Sequence, residues 1–302
     1  MKIAISGSTG FLGRALLSRL DSSGFNILGI KRFSNPLNLN STLNGDNSRL
    51  VANEFELFNF FQMNGDIKVV IHAATNYGRD NSELFNSTTS VFWSNVEFPM
   101  KLMEEAIRIK CNLFINIDSF FSSEYSEYQY LANYSLSKKH FREWGSLCAN
   151  EQLIRFVNIR LFHLYGPGDS LSKFVPIIIN RCLSNEDIDL TDGLQKRDFI
   201  YIDDAVNAID SIIKSECGKP KGYASYDLGT GQTQSIRKLV EDVKKICASS
   251  SKLNFGSLPK RIGEFADSCA NIEPLSRLGW SACTNLDKGL KSTIDYIKKN
   301  KL

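Results

Sequence analysis

Long hydrophobic runs, clustered histidines and paired cysteines are all lacking from this 302-residue sequence. No stretch approaches the roughly 20 apolar residues that a membrane-spanning helix needs, so we expect no membrane span. Seven cysteines without a C-x-x-C pair, and three histidines that lie far apart, give no reason to expect a disulfide framework or a metal site. A net charge of +3 without a dense basic run gives no reason to expect a nucleic-acid partner.

The N-terminus lacks the apolar core of a signal peptide, because the run that begins at Lys2 ends at Gly7. Unpaired cysteines suit a reducing compartment, so we expect the protein in the cytoplasm. The hydrophobic share of 42% and the charged share of 23% are typical of a globular protein, and the length suits one large or two closely joined domains.

Short apolar runs alternate with amphipathic stretches over the first half of the chain. This alternation predicts an α/β fold, a Rossmann-type doubly wound parallel sheet. The predicted strands are residues 2–6, 26–30, 69–73, 113–117 and 157–161, and the predicted helices are residues 10–23, 95–108 and 134–148.

The alternation ends near residue 165, where a Gly-Pro-Gly turn follows. We therefore expect a dinucleotide-binding domain at 1–165 and a smaller C-terminal α/β substrate lobe at 166–302, with segments of the lobe returning to the first domain. Residues 35–49, rich in Asn, Ser and Leu, are predicted to form a loop or a weakly structured crossover.

A glycine triplet, Gly7, Gly10 and Gly13, directly follows the first strand and opens the first helix. Glycines at such a point allow a tight turn and a close approach of the backbone to a pyrophosphate, whose charge the helix N-terminus stabilises. The sequence thus predicts a dinucleotide site, with contacts from Gly7, Thr9, Gly10, Phe11, Leu12 and Gly13.

The second strand is followed by Lys31 and Arg32, where an NAD site usually carries an acidic residue. A cation at this point favours the 2′-phosphate of NADP, and the planar guanidinium of Arg32 suits a phosphate best. We expect NADP as the cofactor, with NAD less favoured.

Tyr134 and Lys138 form a Y-x-x-x-K pair on a predicted helix, where residues four apart share one face. The lysine charge can lower the pKa of the phenol, which suits a proton carrier. Ser119 follows the strand at 113–117, where its hydroxyl could hold a substrate carbonyl. These three residues are the predicted catalytic set.

The glycine spacing and the Ser-Tyr-Lys set resemble the extended short-chain dehydrogenase/reductases, and further segments fit in order. These segments are His72-Ala73-Ala74, Asn95, residues 160–168 with His163 in place of the usual Asn, residues 197–204, residues 227–231 and Leu278-Gly279-Trp280. The resemblance implies cofactor contacts from Ala73, Ala74, Asn95, Tyr134 and Lys138. It implies substrate contacts from Thr75, Ser119, Phe120, Phe121, His163, Lys173, Phe174, Arg197, Arg261 and Glu264.

Phe120 and Phe121 stand where the 4,6-dehydratases of this family carry acids, so dehydration is not expected. The segments around Ser119, His163 and Lys173 resemble the CDP-abequose synthase-like 4-ketoreductases. This resemblance implies NADPH-dependent reduction of the C4 ketone of a nucleotide-linked 4-keto-6-deoxyhexose, including 3,6-dideoxyhexoses. CDP is the favoured nucleotide, with dTDP, GDP and UDP as options.

Two alternatives stay open at this point: an NAD-dependent nucleotide-sugar 4-epimerase, which uses the same three catalytic residues, and a non-catalytic NADP-sensing protein. The family resemblance also implies a homodimer, built from the helices at 95–108 and 134–148 of each chain.

Overall fold

The computed structural model describes residues 1–32, 48–51, 54–78, 84–122 and 131–300. The described strands are β1 (Lys2–Ser6), β2 (Asn26–Arg32), β3 (Ser48–Val51), β4 (Ile67–His72), β5 (Leu113–Ser119), β6 (Arg155–Leu161), β7 (His163–Tyr165), β8 (Ile188–Leu190), β9 (Lys196–Arg197), β10 (Phe199–Tyr201), β11 (Gly222–Leu228), β12 (Gln234–Ser235), β13 (Leu253–Phe255) and β14 (Asp267–Ser268).

The described helices are α1 (Phe11–Ser22), α2 (Glu54–Met63), α3 (Leu84–Phe92), α4 (Phe98–Arg108), α5 (Ala132–Asn150), α6 (Phe174–Leu183), α7 (Ile202–Glu216), α8 (Ile236–Cys247), α9 (Glu273–Ser276) and α10 (Leu286–Asn300). A π-helical turn, Trp93–Glu97, joins α3 to α4, and a 3₁₀ turn, Phe120–Ser122, follows β5.

Seven strands form the main sheet in the order β11-β6-β5-β4-β1-β2-β3. Strand β1 pairs in parallel with β2 and β4, and the pairs β2–β3 and β4–β5 are also parallel. Every residue of β5 is buried, as expected for a strand covered on both faces. The predicted α/β fold with a doubly wound parallel sheet is confirmed.

The chain divides into two compact units. The first contains the described residues of the ranges 1–122, 131–160 and 209–226, and its core includes Ile30, Phe61, Phe114 and Phe156. It thus includes residues from beyond the predicted domain boundary at 165, which itself stays a prediction.

The second unit draws on residues 161–208 and on the chain from 227 onward. It contains small sheets, among them the parallel pair β7–β10 and the three-stranded order β12-β9-β14. The buried carboxylate of Asp198 organises its loops by accepting hydrogen bonds from the backbone N–H of Thr230 at 2.7 Å, Gly231 at 2.9 Å and Ala270 at 3.2 Å.

Two predictions need correction. The predicted helix at 95–108 is the end of a longer helical segment, because α3 and the π-helical turn precede α4. The predicted loop at 35–49 is wrong for Ser48 and Arg49, which begin β3 by pairing with Gly29 and Ile30, while residues 35–47 lie outside the described part of the chain. Within the described part, no helix is long and apolar enough to cross a membrane.

Candidate active site

The glycine turn lies where three neighbouring strands end. The N–H of Gly7 donates to the carbonyl of Ile30 near the end of β2. The N–H of Ala73, which follows β4, donates to the carbonyl of Ser6 at 3.1 Å. The N–H of Gly10 closes the turn on the carbonyl of Gly7 at 2.9 Å, and α1 then begins at Phe11.

The close packing of this turn requires glycine. A Cβ added to Gly7, which has a φ of +75°, would lie 2.5 Å from the backbone nitrogen of Ala74. A Cβ on Gly13 would lie 2.1 Å from the carbonyl oxygen of Gly7. The predicted glycines thus let helix α1 approach β1 and β4 as the dinucleotide motif requires.

The residues at this turn fit a pyrophosphate. Across the described first turn of α1, no acidic side chain is present, and no side chain caps the helix at Gly10. The orphan N–H groups of a helix N-terminus carry partial positive charge, so they favour an anion. Thr9, Phe11 and Leu12 belong to the same stretch, as predicted, and Ala73 and Ala74 border it.

Lys31 and Arg32 are the last two residues of β2, where the backbone of Arg32 pairs with Val51 of β3. The end of the second strand is the place at which a dinucleotide-binding fold holds the adenosine ribose. The side chains of both residues lie outside the described part of the structure, so their role stays a prediction.

The three predicted catalytic residues come together in the first unit. Ser119 ends β5, whereas Tyr134 and Lys138 lie one turn apart on the buried face of α5. The hydroxyls of Ser119 and Thr75 lie next to the phenol of Tyr134, and both favour its ionised form by lowering its pKa. The ammonium of Lys138 lies 6.0 Å from the centre of the Tyr134 ring and donates a 2.8 Å hydrogen bond to the carbonyl of Ile117.

Burial dominates the acid–base properties of this group. It raises the pKa of the Tyr134 phenol well above its usual value, and the neighbouring phenol of Tyr77 adds to the rise. Burial thus outweighs any lowering of the Tyr134 pKa by the charge of Lys138. Burial also lowers the pKa of Lys138 to about 8, because an ammonium loses its hydration in this site.

Asn95 lies in the π-helical turn and clamps the chain that follows β4. Its Oδ1 accepts a 2.8 Å hydrogen bond from the backbone N–H of Asn76, and its Nδ2 donates to the carbonyl of the same residue at 2.8 Å. The Nδ2 also donates to Ser137 of α5 at 2.9 Å. In this structure Asn95 thus holds the loop that carries Thr75; its predicted cofactor contact stays a prediction.

Tyr77, on the same loop, was not among the predicted site residues. Its ring stacks on that of Tyr134, with centroids 4.8 Å apart and an interplanar angle of 28°. No spacing rule links residues 77 and 134, because the contact depends on the loop that Asn95 holds. An aromatic residue soon after a strand-end His-Ala-Ala motif was the available signal.

Phe120 and Phe121 follow Ser119 in the 3₁₀ turn. Their ring centroids lie 4.0 Å apart, and the backbone N–H of Phe121 donates to the Ser119 hydroxyl at 3.3 Å. Phe120 is buried and Phe121 partly buried. The two positions next to Ser119 thus carry apolar rings that cannot transfer protons.

The second unit brings together several predicted substrate residues. Arg197 is nearly buried and forms an ion pair with Glu264 at 2.9 Å. It also donates to the carbonyls of Lys196 and Phe265, each at 2.7 Å. The exposed Arg261 begins the turn that leads to Glu264, whose N–H donates to the carbonyl of Arg261. This set can offer cations to an anionic ligand.

His163 begins β7, and its ring lies 5.4 Å from that of Phe199. Burial, aided by the charges of Arg197 and Lys173, lowers the pKa of His163 to about 3, so the imidazole is neutral. Lys173 directly precedes α6. Phe174, the first residue of α6, is 39% exposed.

Among the described residues, no group of three His, Cys, Asp or Glu could hold a metal ion.

Comparison with known proteins identifies the family. The model of the NAD dependent epimerase/dehydratase family matches residues 3–229. The chain belongs to this family, that of the extended short-chain dehydrogenase/reductases, and is therefore an enzyme of the nicotinamide-dependent oxidoreductase type.

Among curated proteins, the chain is similar to CDP-abequose synthase of Salmonella muenchen, at 36% identity over 97% of each chain. It is also similar to CDP-abequose synthase of Salmonella typhimurium strain LT2, at 35% identity over 98% of each chain. The resemblance predicted from the motifs is confirmed.

Among solved structures, UDP-glucuronic acid 4-epimerase from Bacillus cereus, in complex with UDP-glucuronic acid and NAD, is 26% identical with a TM-score of 0.81 and covers 99% of this chain and 100% of its own. UDP-glucose 4-epimerase from Thermotoga maritima, with UDP-glucose, covers both chains completely with a TM-score of 0.83 at 20% identity. The latter likeness concerns the fold.

Proposed function

We propose that this enzyme reduces the C4 ketone of a nucleotide-linked 4-keto-6-deoxyhexose, including 3,6-dideoxyhexoses, and uses NADPH as the reductant. The observation that carries the proposal is the buried phenol of Tyr134, which lies next to the Ser119 hydroxyl, with Lys138 one turn behind it. The 36% identity with a CDP-abequose synthase over almost the whole length of both chains supports the same class of reaction.

Reduction of a ketone adds one hydride to carbon C4 and one proton to its oxygen. Bound NADPH supplies the hydride. Ser119 holds the carbonyl by a hydrogen bond, and Tyr134 gives its proton to the oxygen as the alkoxide forms. Lys138 stabilises the tyrosinate that is left behind. Because its pKa is raised, the Tyr134 phenol is protonated at neutral pH and so has a proton to give.

Phe120 and Phe121 support reduction rather than elimination of water. A dehydratase needs an acid and a base next to the catalytic hydroxyl, and these positions carry two phenyl rings in mutual contact. In the proposed complex, the rings pack against the deoxygenated part of the sugar. This part is apolar, so its contact with an apolar ring costs little free energy of desolvation.

The proposed roles of Arg32 and of the second unit concern binding. Arg32, at the end of β2, pairs with the 2′-phosphate of NADPH. Arg197, Lys173 and Arg261 hold the nucleotide diphosphate by charge. CDP is the favoured nucleotide because the relatives at 35–36% identity are CDP-abequose synthases.

The first test mixes purified enzyme with a CDP-4-keto-6-deoxyhexose and either NADPH or NADH, and follows the loss of reduced-nicotinamide absorbance. We expect stoichiometric oxidation that is much faster with NADPH. Tyr134→Phe should still bind NADPH but turn over about 10²–10⁴-fold more slowly. Arg32→Ala should weaken the binding of NADPH and leave the binding of NADH unaffected. Near-normal turnover of Tyr134→Phe would refute the role of the phenol.

A 4-epimerase is the second candidate, because the Bacillus cereus enzyme at 26% identity is a 4-epimerase in complex with NAD. An epimerase would give a different result in the same test: neither coenzyme would be oxidised in net terms, and the sugar would be isomerised. A protein that binds NADPH but transforms no sugar would instead be an NADP sensor.

A further inference from the structure

Asp118 directly precedes Ser119 in β5, and its side chain is wholly buried, with 0% exposure. One carboxylate oxygen, Oδ1, accepts a 2.7 Å hydrogen bond from the backbone N–H of Ser119. The other, Oδ2, accepts from the amide of Asn158 at 3.0 Å, and Asn116 in turn donates to Asn158 at 2.8 Å. The carboxylate is thus fixed between β5 and β6.

A buried carboxylate is costly unless cations compensate its charge. Helix α5 provides two cations on the face that meets β5. Arg142 lies 3.5 Å from Oδ2 of Asp118 and also donates to the carbonyl and hydroxyl of Ser122 at 3.1 Å. Lys138 lies one turn earlier on α5 and bonds the carbonyl of Ile117, the residue before Asp118.

Asp118 therefore has an electrostatic effect on Lys138. Among the described residues, the titratable groups that act on Lys138 or lie against it are Asp118 of β5, His72 of β4 and Tyr134 of α5. Burial keeps both His72 and Tyr134 neutral, by lowering the pKa of the one and raising that of the other. Asp118 favours the ammonium form of Lys138, whereas burial disfavours it.

We propose that Asp118 is a positioning residue of the active site, which orients Ser119 through its backbone N–H and keeps Lys138 protonated. This inference rests on the proposed function, since it concerns the same three residues. Asp118 touches neither substrate nor coenzyme in the proposal and acts through its two neighbours.

Glu216 offers a matched control. It is also a wholly buried carboxylate of the first unit, and it forms ion pairs with Arg155 and Lys219 and a 2.7 Å hydrogen bond with the hydroxyl of Tyr226. It belongs to α7 and is not among the groups that face Lys138. Glu216→Gln should therefore lower stability without changing the pH dependence of the reaction.

The test is the pH profile of kcat/KM for the isosteric variant Asp118→Asn. Loss of the negative charge lowers the pKa of Lys138, which is about 8 in the wild type. The active ammonium form is then lost at lower pH, so the alkaline limb should move down by about one pH unit. An unmoved limb in Asp118→Asn overturns the proposal.

Unfolding of the coenzyme-free protein gives a readout that needs no turnover. Between the folded pKa of Lys138 and its higher unfolded value, the unfolded chain binds more protons, so stability rises with pH. In Asp118→Asn this rise should begin at lower pH than in the wild type. When Lys138→Met is introduced into both proteins, this difference in onset should disappear. An identical onset in both proteins overturns the proposal. If wild type reduces no ketosugar but the onset differs, the proposed function fails and the coupling of Asp118 to Lys138 stands.

Discussion

The side chain of Asn95 holds the loop whose residues contact Tyr134. Its buried amide binds both the N–H and the carbonyl of Asn76 and reaches Ser137 on α5. Thr75 and Tyr77 flank Asn76, and both contact Tyr134. One side chain thus fixes the loop after β4 against the helix that carries the phenol.

We expect Asn95→Ala to lower the free energy of unfolding by about 2–3 kcal/mol, because the backbone groups of Asn76 lose their partners. It should also lower kcat about 10- to 100-fold, since Thr75 and Tyr77 lose their positions against Tyr134. Denaturant unfolding and steady-state kinetics measure the two effects. Asn64→Ala is the control: Asn64 is also buried but makes a local bond to Phe60, so about 1 kcal/mol and an unchanged kcat are expected. Equal kinetics in the two variants would contradict the role of Asn95.

The sequence predicts some residues of the site and not others, for a physical reason. Tyr134 and Lys138 lie one helical turn apart, and Ser119 ends a buried strand, so local spacing is enough to find them. Tyr77 reaches Tyr134 through a loop, and Asp118 reaches Arg142 and Lys138 through the packing of α5 on β5. Such contacts depend on tertiary structure and leave no local pattern.

At the scale of elements, the junction between β1 and α1 shows how closely a helix can approach a sheet. The packing of Gly13 against Gly7 leaves no room for a methyl group at residue 13, because the obstructing atoms belong to the backbone. The turn cannot widen without moving either the strand or the helix.

Gly13→Ala should therefore destabilise the protein by about 1–3 kcal/mol, as overpacking does, and should weaken NADPH binding because the turn at the helix N-terminus is displaced. Thermal unfolding and a fluorescence titration with NADPH measure these effects. Gly218→Ala provides the control, because a Cβ there meets nothing within 4 Å, and a change within about 0.5 kcal/mol is expected. Wild-type affinity and stability in Gly13→Ala would show that the turn tolerates displacement.

Five of the seven strands of the main sheet were predicted, because runs such as β1, β4 and β5 are mostly apolar, as parallel sheets require. Strands β3 and β11 of the same sheet were missed. The π-helical turn at Trp93–Glu97 was also missed, since a single π-helical turn inside a longer helical segment has no sequence pattern of its own. The short strands β9, β12 and β14 were also missed. They contain two residues each, and their partners are distant in the chain.

At the scale of the whole molecule, helix α5 presents two different faces. Tyr134 and Lys138 lie on its buried face. Leu136, Trp144 and Leu147 lie on the other and are 53%, 50% and 49% exposed. Large apolar side chains grouped on one exposed helix face are typical of a protein interface. The family resemblance predicts a homodimer that uses this helix, and these residues are the anchors we expect.

Trp144→Glu tests this prediction, because an aromatic anchor at the centre of an interface contributes much of its binding energy and a buried charge opposes association. We expect wild type to sediment at about twice the 34.0 kDa chain mass and the variant as a monomer. Tyr296→Glu replaces an aromatic residue that is 43% exposed on α10 and should leave the dimer intact. A monomeric wild type, or a dimeric Trp144→Glu, would refute the interface.

Because α5 also carries Tyr134, loss of the partner should free this helix to move. The monomer should therefore unfold at a lower temperature than the dimer. It should also show a reduced kcat and retain its affinity for NADPH.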